Sequence, residues 1–196
     1  MITIEPQIQG LIFDSDGTLV DTMPLHHLAW QETVGAVGAD FPEKLFYELA
    51  GVPSDRITEI LNEKFGYQLN PKQTATQKEK IFLAKYLPRA KPIEPVVAIA
   101  KQCKGRLPMA VATGGIPLVV KSALKTIGME NFFDAIVTSE DVTNGKPAPD
   151  TFLEAARRLK VEPEYCMVFE DSDLGLEAAR RAGMTGVDVR PWLNRT

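Results

Sequence analysis

Short apolar runs bounded by turn residues recur along the chain. Residues 10–14 (GLIFD) form one that ends in an acid, and residues 107–113 (LPMAVAT) form another that ends in a hydroxyl before Gly114 and Gly115. Residues 135–138, 166–170 and 186–189 are further runs of this kind. Runs of this length predict buried strands. Between them lie amphipathic segments such as 118–127 and 151–159, with Gly128 and Gly183 placed where a helix would end in a left-handed residue. Strand and helix in alternation predict an α/β fold on a doubly wound, mostly parallel sheet.

From about residue 24 to 88 the alternation breaks. Leu28, Trp30, Leu45, Phe46, Leu49, Ile57, Ile60, Leu61, Phe65, Ile81, Phe82 and Leu83 recur there at helical spacing. Strand-like sequence lies on both sides, so a helical subdomain (23–88) is expected to interrupt an α/β core made of 1–22 and 89–196. A length of 196 residues suits one core plus an insertion.

Composition narrows the function. With 44% hydrophobic and 24% charged residues the chain can bury a core and is not a disordered segment. A net charge of -4 gives no electrostatic footprint for nucleic acid, so a small anionic substrate would need a local cluster of cations. Cys103 and Cys166 lie far apart in apolar or strand-like sequence and are expected to be reduced packing thiols, as in the cytoplasm. The N-terminus has no basic region or apolar signal core, and no run reaches the roughly 18 apolar residues of a membrane span.

Ligands of open α/β sheets bind at the carboxyl ends of the strands. Asp14 and Asp16 flank Ser15 at the first such end, before Gly17 and Thr18. Thr113 with Gly114 and Gly115 follows another, where open backbone amides can close around a phosphate. Lys146 sits in a loop stiffened by Pro147 and Pro149, and Glu170 with Asp171 ends a later strand. Each feature has an ordinary reading: solvated acids, a tight turn, a surface lysine, or a helix cap by Asp171 or Ser172. Together they put several carboxylates, one lysine and a hydroxyl-plus-amide cradle on one sheet edge. Crowded carboxylates require a cation, and hard oxygen donors without Cys or His favour Mg²⁺. The chemistry of that set is phosphoryl transfer.

The segments FDSDGTLVDT, AVATGG, GKPAPDTF and VFEDSDLG, in that order, resemble the four motifs of the haloacid dehalogenase superfamily, and the helical insertion resembles its cap. The DGTLVDT segment, with His26 and Trp30 beyond it, is similar to the β-phosphoglucomutase-like branch, which includes fructose-1-phosphatase-type enzymes. The resemblance implies a Rossmann-like core and Asp14 as nucleophile, forming an aspartyl-phosphate. It makes Asp16 the general acid and base, and has Thr113, Gly114, Gly115 and Lys146 hold the phosphate. Mg²⁺ would be held by Asp14, Asp171 and the backbone carbonyl of Asp16, with Glu170 as ligand or support. Thr22, His26, Arg56 and Lys78 are expected on the cap side of the site. His26 and His27, being adjacent, are not expected to face inward together.

In β-phosphoglucomutase an arginine shortly follows a cap-loop glycine, whereas here Ser54 stands near that place and Arg56 comes later. Hydrolysis of a small sugar phosphate by a cytoplasmic monomer is therefore expected over mutase activity. A non-catalytic phosphate-binding regulator is the reading from another class. A receiver domain does not fit, since it lacks a helical insertion after its first strand. No nucleic acid or membrane partner is expected.

Overall fold

The computed structural model describes residues 4–193. At its centre is a five-stranded parallel sheet in the order β3-β2-β1-β4-β5. Its strands are β1 (Gly10–Phe13), β2 (Met109–Ala112), β3 (Ala135–Val137), β4 (Cys166–Glu170) and β5 (Thr185–Asp188). Pleating sends alternate residues to opposite faces and so divides the core in two. Leu11, Phe13, Met109, Val111, Met167 and Phe169 pack on one face. Ile12, Ala110, Ala112, Cys166 and Val168 pack on the other. Both faces are covered at β1, β2 and β4, which is why those strands read as unbroken apolar runs, whereas the edge strand β5 is exposed or half-buried along its length, which corrects the expectation of a buried strand over 186–189.

Three strand ends fall level. Phe13 lies opposite both Val111 and Phe169, so β1, β2 and β4 deliver Asp14, Thr113 and Glu170 to the same edge. From β1 the chain winds to β2 on one side and later to β4 on the other. The crevice at that reversal is where such sheets bind ligands.

Between β1 and β2 the chain forms α1 (Met23–Gly35), α2 (Glu43–Glu48), α3 (Ser54–Phe65), α4 (Pro71–Ile81) and α5 (Glu94–Cys103). A π-helical turn, Phe82–Tyr86, continues α4. Trp30, Phe41, Phe46 and Leu61 give this helical region a core of its own. Helix α1 is buried on two sides, which corrects the expectation for the histidine pair. His26 faces the sheet edge, while His27 is also buried, its Nε2 lying 3.3 Å from the Phe41 carbonyl oxygen and its ring against Phe46. After β2 come α6 (Pro117–Thr126), α7 (Asp150–Leu159) and α8 (Asp173–Arg181). Helix α7 ends on Lys160, a non-glycine residue at φ 57°. Cys103 and Cys166 are free and buried. Among the described residues no helix is long and apolar enough to cross a membrane.

Candidate active site

Lys146, from the loop before α7, reaches under the sheet edge. Its Nζ lies 2.7 Å from Asp14 Oδ1 and 2.7 Å from Glu170 Oε2, with the lysine side chain 1% exposed. Burial disfavours every charge here. It pushes the Asp14 carboxyl well above the usual carboxylate range, against the pull of Lys146 and with Glu170 and Asp171 pushing the same way. Burial also opposes the charge on Lys146, but Asp14 and Glu170 outweigh it and hold the ammonium above its ordinary pKa.

Glu170 is held at both oxygens. Oε2 takes Lys146, while Oε1 accepts the backbone N–H groups of Asp171 and Ser172 and the Ser172 hydroxyl at 3.1, 2.9 and 2.8 Å. Ser172 in turn accepts the Gly175 N–H at 3.0 Å, so Ser172, and not Asp171, caps α8. Thr18 donates to Asp171 Oδ1 at 3.2 Å. A Cβ on Gly17, which has φ 89°, would run into the Asp171 carboxylate, and one on Gly175 into that of Glu170.

Asp14, Glu170 and Asp171 each offer an oxygen within 4.8 Å of the others, all three residues buried. Three hard donors around one lysine fit a divalent cation. The Asp16 carboxylate stands outside this cluster and turns toward the helices. Its Oδ1 accepts the Thr22 hydroxyl at 2.6 Å and lies 3.2 Å from His26 Nε2. On the other side of that ring, Lys78 Nζ lies 2.8 Å from His26 Nδ1, and it donates to Glu79 Oε1 at 3.0 Å. Glu79 Oε1 also accepts the Ser54 hydroxyl at 2.8 Å. An ammonium only donates, so His26 Nδ1 accepts, and the ring proton sits on Nε2 facing Asp16.

The shift of His26 agrees with this assignment. Burial and the Lys78 charge together hold His26 below its ordinary value, against Asp16. Burial raises the Asp16 carboxyl, but His26, Thr22 and Lys78 bring it below its ordinary value. Glu79 likewise ends below the usual range, where the Lys78 charge overcomes burial. The His26 ring stacks on Phe82 at 3.7 Å, and Lys78 Nζ lies 5.7 Å from the Trp30 ring.

A cavity of about 730 Å³ opens between this edge and the helices. Asp14, Asp16, Thr113, Gly114, Gly115, Glu170 and Asp171 line it from the sheet, and His26, Ser54, Lys78 and Glu79 from the helices. Thr22 and Lys146 bear on it through the carboxylates they bind. The Gly115 N–H donates to Thr113 Oγ1 at 3.2 Å. The loop between α2 and α3 rests on this turn: a Cβ on Gly114 would collide with the Gly51 carbonyl oxygen, whose carbon would be 3.3 Å away.

Arg56 is the exception among the expected residues. It lies on the exposed side of α3, 2.7 Å from Glu59 and 3.5 Å from Glu63, and does not line the cavity. The helix begins at Ser54, so Ser54 and Asp55 face the cavity and the next residue is rotated away. Glu79, Thr18, Ile116 and Leu118 are not singled out by sequence reasoning. Spacing along α4 is the signal for Glu79, since Lys72, Thr76, Glu79 and Leu83 share a face that lines the cavity.

This sheet edge, with its level acids and the buried Lys146 between two of them, belongs to a recognised class. A family model described as haloacid dehalogenase-like hydrolase matches residues 11–189, and the chain belongs to that family. Among relatives, the fructose-1-phosphate phosphatase YqaB of Escherichia coli (strain K12) is 42% identical over 181 residues, 92% of this chain and 96% of that protein. A phosphorylated carbohydrates phosphatase of Thermotoga maritima is 32% identical, covering 90% of this chain and 82% of its own. The crystal structure of a hydrolase from Pseudomonas syringae superposes with a TM-score of 0.83 at 26% identity, over 92% of this chain and 83% of that one.

Proposed function

We propose that the protein hydrolyses the phosphate ester of a small phosphorylated sugar through an aspartyl-phosphate on Asp14. Phosphoric monoester hydrolysis is what its family and its relatives named as phosphatases support. The observation that carries the residue assignment is the buried Lys146 bridging Asp14 and Glu170 at 2.7 Å each. A carboxylate nucleophile must approach an anionic phosphate, and one unit-charge repulsion at 4 Å costs about 4 kcal/mol at an effective dielectric near 20. Lys146 offsets part of that. Asp14 and Asp171, with Glu170 beside them and the backbone carbonyl of Asp16, would hold Mg²⁺. When bound, the ion supplies positive charge against the phosphate oxygens.

Asp14 attacks phosphorus, the ester P–O bond breaks, and the leaving oxygen takes a proton from Asp16. Water then attacks the acyl phosphate and gives its proton to Asp16, phosphate departs, and the Asp14 carboxylate is restored. Thr113 and the amides of Gly114 and Gly115 take phosphate oxygens. Thr22 and His26 fix the Asp16 carboxylate, and Lys78 sets the tautomer of His26. An ionised Asp16 is the base form, and an arriving phosphate dianion raises its proton affinity and loads the acid form.

Residues 23–88 act as the cap, and 1–22 with 89–196 as the core. The cap closes over the strand ends to exclude bulk water. Arg56 points away from the cavity and no arginine lines it among the described residues, which favours hydrolysis over mutase transfer. The setting we propose is a cytoplasmic monomer acting on a small molecule, without nucleic acid or membrane partners.

A phosphate-release screen over sugar phosphates, including fructose 1-phosphate and β-glucose 1-phosphate, tests the reading. Release is expected with Mg²⁺, lost with a chelator and lost in Asp14→Asn while the fold persists. Undiminished release by Asp14→Asn would refute the assignment.

A further inference from the structure

We propose that Glu79 recognises the leaving group, accepting a hydrogen bond from a sugar hydroxyl and so selecting polyhydroxylated monophosphates over aryl esters and over esters with a second phosphate. The inference rests on the hydrolase reading above and concerns the helical wall of that same site.

The first argument is a count of hydrogen bonds. Glu79 Oε1 takes both Ser54 and Lys78, whereas Glu79 Oε2 is buried and accepts none among the described residues. A buried carboxylate oxygen without a donor is costly, and native proteins rarely leave one so. The other such atom is Ser15 Oγ, on a residue that does not line the cavity, so Glu79 is where a ligand donor would serve.

Charge is the second argument. An ionised carboxylate only accepts, so it suits a hydroxyl and repels a phosphate. An aryl leaving group without a hydroxyl offers it nothing. Connection is the third. Lys78 Nζ bridges Glu79 and His26, so the residue that would read the sugar is tied through His26 to the carboxylate that protonates it.

The test compares the unmodified protein with Glu79→Gln at saturating Mg²⁺ on fructose 1-phosphate, fructose 1,6-bisphosphate and p-nitrophenyl phosphate. A hydrogen bond to a charged group predicts that kcat/KM falls about 10-fold or more further on fructose 1-phosphate than on the aryl ester. The preference for the monophosphate over the bisphosphate should narrow as well. Equal losses on all three would make Glu79 a support for Lys78 and overturn the inference alone. Failure of the unmodified protein to release phosphate from any of them would overturn the hydrolase reading and the inference with it. If Glu79→Gln does not fold, the unmodified protein decides: sorbitol 6-phosphate should be hydrolysed about 10-fold or more faster than hexyl phosphate, and equal rates refute the proposal.

Discussion

Replacing Lys146 by methionine keeps the bulk of the side chain and removes its charge. In the native protein one ammonium serves two carboxylates at 2.7 Å, the three side chains being 1%, 7% and 2% exposed. Removing one partner of a buried ion pair costs about 3–5 kcal/mol, because the partner left behind has neither water nor a counter-charge. For a chain of this size each kcal/mol moves Tm by about 2–4 °C, so a fall of about 6–20 °C is expected. The loss has a definite pH dependence. Asp14 already binds its proton more tightly than an unfolded aspartate, so its ionisation weakens the fold as pH rises through and above the carboxylate range, and the variant sharpens that trend. Urea unfolding with a chelator should therefore show a larger deficit at pH 8 than at pH 5, with the m-value unchanged. Mg²⁺ at about 100 times its Kd should return about 2.7 kcal/mol. A variant that folds only at pH 5 or only with Mg²⁺ gives the same answer in stronger form. Lys146→Met as stable as the parent at pH 8 in chelator would refute the reasoning, since the carboxylates would then need no counter-charge.

Further outcomes can be checked separately. Asp16→Asn should slow fructose 1-phosphate by about 10²–10⁴-fold and p-nitrophenyl phosphate less in single-turnover kinetics, because the aryl leaving group needs less help from an acid; equal losses repaired by extra Mg²⁺ would make Asp16 a metal-site residue. The His26 imidazole should titrate below 6.5 by NMR and move upward in Lys78→Met, since that variant removes a charge opposing protonation and leaves Asp16 in place. The native state then binds fewer protons at His26 than the unfolded chain does, so this group's contribution falls as pH drops below about 6.5; a native His26 titrating above that value would contradict the tautomer assignment. Ser15→Ala should raise stability by about 1 kcal/mol in urea midpoints, because the Ser15 hydroxyl is fully buried with no partner among the described residues. A loss of that size would show instead that the hydroxyl is satisfied by a buried water.

The central strands β1, β2 and β4 were legible because burial on both faces leaves an uninterrupted apolar signal, and the acids at the ends of β1 and β4 mark where the chain meets the crevice. Helix phase was less legible. Arg56 and Ser54 are two positions apart, and which faces inward depends on where α3 begins, which Pro53 leaves open by a residue or two. Adjacent histidines could not be resolved by periodicity, because α1 is packed on two sides and has no single buried stripe. Glu79 was hidden for a related reason. It lies among lysines in α4, and only the packing of α4 against the cavity separates it from an ordinary solvated face.

The contact between Gly51 and Gly114 makes the identity of one residue a gauge of movement in another part of the chain. With the Gly51 carbonyl in the space a side chain at 114 would fill, the α2–α3 loop can rest on the turn after β2 only while that position carries a hydrogen. Methyl, hydroxymethyl and isopropyl groups at 114 would form a graded set of wedges. Each would hold the loop off the turn by a further step, and together they would give a series of proteins whose loop position can be compared at equilibrium.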